Sequence, residues 1–131
     1  MKHRIIVWLV LFVTCVSFAV SSARADEWLE SYVAYLSDND HYNSSGVPLR
    51  DAASVLAQDR ANVHRFNLWD GDDESDKFFT TTARRQMMSA MLNRGGVSQQ
   101  TRNTIVKFDM MVLVNIWRGS KGPYVVVELL P

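Results

Sequence analysis

Five carboxylates crowd into the seven positions after Trp69 in the stretch WDGDDESD, residues 69–76. Hard cations such as calcium gather several oxygen ligands at close range, which makes Asp70, Asp72, Glu74 and Asp76 the candidate metal ligands of the chain. The helix–loop–helix calcium loop is a stricter test, and the stretch fails it. Counted from Asp70, position six is Ser75 where the turn needs glycine, and position twelve is Thr81 where a bidentate glutamate belongs. Counted from Asp72, the same places hold Lys77 and Ala83. A structural use competes. Acids clustered at a helix start complement its dipole, Ser75 or Asp76 can cap that helix, and Arg84 and Arg85 follow to offset the charge. We read the stretch as an acidic connector, with calcium binding as the alternative.

The second candidate is QDRANVHRF, residues 58–66. On a helix Asp59 falls beside Leu56, Val63 and Phe66, so its carboxylate borders an apolar stripe and needs a partner. Arg60, being the next residue, is not expected to turn back to it. Arg84, Arg94, Arg118 or the indole N–H of Trp28 are the expected partners. Together with His41 from the loop DNDHYNSSG, Asp59 and His64 make a candidate catalytic set, since an Asp and a His can orient a base for hydrolysis. The competing reading, which we favour, is a fold-fixing ion pair and an exposed histidine. No HExxH, nucleophile elbow or glycine-rich phosphate loop supports an enzyme. Met87, Met88, Met91, Met110 and Met111 offer soft ligands for copper(I), but methionine at helical spacing reads better as flexible core filling. Asn43-Ser44-Ser45 matches a glycosylation sequon, which matters only in a eukaryotic host.

The elements that must position these residues follow from periodicity. Residues 26–37 read as a short amphipathic helix through Trp28, Leu29, Tyr32, Val33 and Leu36. Pro48 suits the first turn of a second helix that runs to about Phe66. Phe79, Ala83, Met87, Ala90 and Met91 predict a third, stopped by Gly95-Gly96. Ser98 can cap a fourth through Ile105, although Thr104-Ile105-Val106 could equally start a strand. Residues 111–117 and 124–129 are rich in β-branched and aromatic residues and predict a hairpin across the loop RGSKGP. Both faces of its first strand are apolar apart from Asn115. The expected fold is a single small α+β domain: three or four short helices followed by a C-terminal antiparallel β-hairpin.

The N-terminus carries a different message. Lys2, His3 and Arg4 precede the apolar run Ile5 to Val20 and an Ala23-Arg24-Ala25 pattern before Asp26. A basic start, an apolar middle and small residues at −3 and −1 are the features of a cleaved secretory signal peptide, residues 1–25. The run falls short of the roughly 20 apolar residues that span a bilayer, so no membrane span is expected after cleavage. The remaining domain, residues 26–131, carries eleven Lys and Arg against fourteen Asp and Glu, a net charge of −3. A mildly acidic exported domain is a poor match for nucleic acid. Cys15 is the only cysteine and leaves with the signal, so disulfides, thiolate metal sites and cysteine nucleophiles are excluded from what remains. The expectation is a periplasmic or secreted, non-catalytic binding protein that docks on another exported or envelope protein, with no cofactor. Inhibitors and immunity-type proteins belong to that class. A small hydrolase using His41, Asp59 and His64, or a calcium-stabilised structural protein using the acidic loop, are the alternatives.

Overall fold

The computed structural model describes Ser17 and residues 24–131. The expected signal peptide therefore lies almost wholly outside the described residues. The chain begins with a strand, β1 (Glu27–Leu36), where a helix was expected. Four helices follow: α1 (Ala52–His64), α2 (Thr82–Arg85), α3 (Met88–Arg94) and α4 (Gln99–Lys107). Strands β2 (Met110–Gly119) and β3 (Gly122–Leu129) close the domain. The sheet order is β1-β2-β3, antiparallel throughout, so the whole helical excursion returns the chain to its own first strand. The α+β class holds, but the strands are not all C-terminal, and the third strand is β1 and not the segment near Val106.

The misread of residues 26–37 has a clear cause. Trp28, Leu29, Tyr32, Val33 and Leu36 fit helical spacing, yet Tyr32, Ala34 and Leu36 also alternate and are all fully buried. Both periods fit so short a segment, and the ladder to β2 decides, pairing Tyr32 with Val114 and Ala34 with Val112. A bulge between Trp28 and Glu30 shifts the register and leaves Trp28 opposite Trp117.

Other boundaries also move. Helix α1 starts at Ala52, capped by the Asp51 carboxylate on the Ser54 N–H, while Pro48 bridges to Tyr42 in the preceding loop. The expected helix from Phe79 to Met91 is broken into a 3-10 turn (Phe78–Thr80), α2 and α3, with Thr81 capping α2. Gly95 and Gly96 do end α3, and Ser98 does cap α4, which runs past Ile105 to Lys107. The hairpin is tighter than expected: Gly119 pairs with Gly122, leaving only Ser120 and Lys121 in the turn.

The helices cover one face of the sheet. Tyr32, Leu36, Val112, Val114 and Ile116 meet Leu56, Phe79, Met88, Met91, Leu92 and Ile105 in one buried core. Met88 and Met91 are thus core side chains. Helix α3 lies close on β3, where a Cβ on Gly95 would stand 1.8 Å from the Val125 carbonyl oxygen, and Arg94 donates to the Pro123 carbonyl at 2.8 Å. Gly95→Ala is expected to lower stability by about 1–3 kcal/mol in chemical denaturation, because backbone must move to admit the methyl. Gly71→Ala, which meets nothing within 4 Å, is the control and should change little.

Candidate functional site

The sequence singled out two groups of residues, and they turn out to be parts of one structure. In the connector between α1 and the 3-10 turn, the acids run alongside β1 and serve its open edge. The Glu74 carboxylate accepts the Val33 N–H at 2.8 Å, and the Glu74 N–H donates to the Val33 carbonyl at 2.8 Å. Asp73 accepts the Tyr35 N–H at 2.9 Å. From β1 the favour is returned, with Glu30 accepting the N–H groups of Lys77 and Phe78. Asp70 accepts the Ser37 hydroxyl at 2.8 Å. An uncovered strand edge is a template for unwanted pairing, and here carboxylates occupy it.

Asp76 faces the other way, into the protein. One of its oxygens meets Arg60 Nη1 at 3.1 Å and His64 Nε2 at 2.6 Å, while the other accepts the Phe79 N–H. Arg60 also donates through Nε to Asp59 at 2.7 Å and through Nη1 to the Glu74 carbonyl at 2.8 Å. Its guanidinium lies 4.0 Å from the centre of the Tyr32 ring, a cation–π contact. Asp59 and Arg60 are both 0% exposed. The expected partner list for Asp59 was therefore wrong. Consecutive helical side chains diverge at Cβ, but the long arginine stem folds back far enough to bring Nε onto its neighbour.

Electrostatics follow from this burial. Desolvation pushes the Asp59 carboxyl up to about 7, against the opposing pull of Arg60. Burial disfavours the Arg60 charge too, but the facing Tyr32 and Asp59 outweigh it and raise its pKa. Burial likewise raises Tyr32. Nearby, Asp40 is raised to about 6 by burial, although it accepts the Ser37 N–H and the Asn62 amide.

The three candidate catalytic residues do not share one set of contacts. Asp59 and His64 join a single network through Arg60 and Asp76. His41 instead spans two backbone carbonyls, Ser37 at 2.7 Å through Nδ1 and Ile105 at 2.8 Å through Nε2, with Asp109 3.6 Å away. Neither His41 nor His64 is the exposed histidine that was expected, with side chains 11% and 10% accessible. Among the candidate metal ligands, Asp70, Glu74 and Asp76 bind three different protein partners, and among the described residues no three His, Cys, Asp or Glu side chains are grouped to hold a metal. The acids hold the fold.

Among the described residues, one face of the sheet bears no helix. Along it stand Trp28, Val33, Tyr35, Met111, Leu113, Trp117, Tyr124 and Val126, with only Ser31, Asn115 and Glu128 polar. Trp28, Tyr35 and Val126 are 54%, 36% and 37% exposed. Trp117 and Tyr124 stack at 6.5 Å across the hairpin. An antiparallel sheet with one face in water normally alternates apolar inside and polar outside, and this one does not. The apolar character of both β2 faces was readable from the sequence; that β1 extends the same surface was not.

Comparison with protein-family models, curated proteins and solved structures gave no match.

Two measurements probe the buried cluster. Asp76→Ala removes one of the two carboxylates on buried Arg60 and the acceptor of the Phe79 N–H, and should cost about 3–5 kcal/mol in denaturant unfolding. The pH dependence has a defined sign. Asp40 and Asp59 have pKa values raised above the ordinary 3.8, so their contribution to stability is fully present below that value and is lost as pH rises through about 6 and about 7. The Tm should fall between about pH 4 and 7 on their account, and Asp59→Asn should flatten the upper part of that fall in a calorimetric series.

Proposed function

We propose that this chain is a small, non-catalytic interaction protein, exported to the periplasm or beyond, that docks on another exported or envelope protein through the helix-free face of its sheet. The observation that carries this reading is the continuous apolar and aromatic surface on that face. Exposed apolar patches of that breadth mark contact sites on soluble proteins. Tryptophan and tyrosine, four of the side chains there, are the residues that anchor protein interfaces. The face carries one acid, Glu128, and no lysine or arginine, with the hydrogen-bonded pair Ser31–Asn115 at its middle, which fits a partner surface that is largely apolar and neutral to weakly basic. The non-catalytic part rests on the polar cluster, where Asp59 and Arg60 are fully buried, out of reach of a substrate in solvent. Export rests on the N-terminal sequence pattern, and among the described residues no helix is long and apolar enough to cross a membrane.

The test is affinity capture from the protein's own host. The wild-type chain should recover one stoichiometric partner, and Val126→Arg should weaken that capture at least about tenfold while leaving the Tm within a degree or two, since Val126 is an exposed position at which a substitution has little to disturb. Equal recovery by both proteins overturns the docking face.

A further inference from the structure

A second surface, separate from the sheet face, lies where α1 meets the loop after β1. It is a cleft of about 640 Å³ with Tyr42 and Phe66 in its wall, and its polar lining is dominated by carboxamides: Asn39, Asn43, Gln58 and Asn62. That volume is within the range of small-ligand sites, in which a few oriented polar groups stand among apolar ones. We propose that this cleft is a saccharide-binding site for a neutral oligosaccharide.

The argument starts from the orientation of the amides, which chemistry fixes from the inside outward. Asp40 is buried and accepts the Asn62 Nδ2 at 2.8 Å; the Asn39 carbonyl accepts it at 3.1 Å. Since a carbonyl can only accept, Asn62 must face it with its NH2 group. Its own oxygen is thereby turned to Gln58, whose Nε2 donates at 2.9 Å. Gln58, which lines the cleft, is left with its carbonyl oxygen as the end without a hydrogen-bond partner among the described residues. Asn43 is fixed the opposite way, because its Oδ1 accepts the N–H groups of Ser45 and Val47, both at 2.9 Å, so that its NH2 is the end left over. The loop carrying Asn43 is itself held by the Tyr42–Pro48 bridge and by the bond from the Leu49 N–H to the His41 carbonyl.

The cleft therefore offers one oriented acceptor and one oriented donor. A hydroxyl group both donates and accepts, and vicinal hydroxyls on a pyranose present that pair repeatedly. Tyr42 is 44% exposed and Phe66 39% exposed, and their ring faces suit the C–H faces of a sugar, with the Tyr42 hydroxyl as a further polar contact. Charge narrows the class. Asp38 is the only ionisable carboxylate in the lining and no lysine, arginine or histidine lines it; Arg65, over the Phe66 ring at 5.1 Å, puts one guanidinium against its wall, so phosphates, nucleotides and acidic sugars find little counter-charge. The pre-set amides lose little freedom on binding, which favours a weak polar ligand.

The test is a two-dimensional amide NMR titration of the folded protein with chitotetraose and, separately, maltotetraose. Binding of one of them should shift resonances of residues 38–44, 58, 62 and 66–68, with a Kd in the sub-millimolar to millimolar range usual for about five kcal/mol of binding. Tyr42→Ala should weaken that Kd about tenfold, whereas Val126→Arg on the sheet face should leave it unchanged, separating this site from the docking reading. No shift at about 10 mM of either sugar, or shifts confined to other residues, overturns the proposal. Shifts of the cleft residues by tri-lysine and by neither sugar would overturn it in favour of a cationic peptide.

Discussion

One buried guanidinium organises this domain. Arg60 has no access to water, so its charge must be met inside, and the groups that meet it come from places far apart in the chain. Asp59 is adjacent on α1. Asp76 and the Glu74 carbonyl arrive from the acidic connector, and Tyr32 offers its ring from β1. Satisfying Arg60 thus requires the connector to lie against both α1 and the first strand. Once it does, Asp76 also receives the Phe79 N–H and sets the start of the turn that follows. Removing either Asp59 or Asp76 would leave the buried guanidinium with a single carboxylate.

The same constraint explains how the sheet is finished. With the connector drawn in, Glu74 and Asp73 fall beside β1 and take its outward N–H groups, so the edge that faces the connector is closed by side chains and not by another strand. At the opposite edge, α3 packs so near that only glycine fits at position 95. The helices cover one face. Among the described residues the other face and the amide-lined cleft beside α1 are open, and the proposed contacts lie there. The carboxylates, arginine and histidine of the α1–connector cluster contact one another in the interior, while Trp28, Tyr35, Tyr42 and Phe66 stand exposed.

Several of these features were legible in the sequence. The failure of the calcium loop at its glycine and glutamate positions pointed to a structural acidic connector, and the apolar border around Asp59 required a buried partner. The tight glycine stop after α3 and the serine cap of α4 are local signals and were read from local residues. Reading failed where two local solutions were equally good. Trp28 to Leu36 satisfies a helix and a strand alike, and only pairing with β2, some eighty positions away, separates them. It failed again at Arg60, because regular helix geometry sends neighbouring side chains apart by about 100° and says nothing of how a long stem folds back when every other route is blocked.

The sequence by itself determined composition-level facts and local ones: a single small α+β domain, caps and stops, a terminal hairpin, one lone cysteine, and an acidic stretch without a recognised cation loop. These depend on residues within a few positions of one another, where propensity and hydrogen-bonding capacity act directly. Tertiary structure alone decided which strand joined the hairpin, where the acids pointed, and which apolar face was left bare. Each of those depends on contacts between segments distant in the chain, and their energies are settled by what else each segment can bury or pair with.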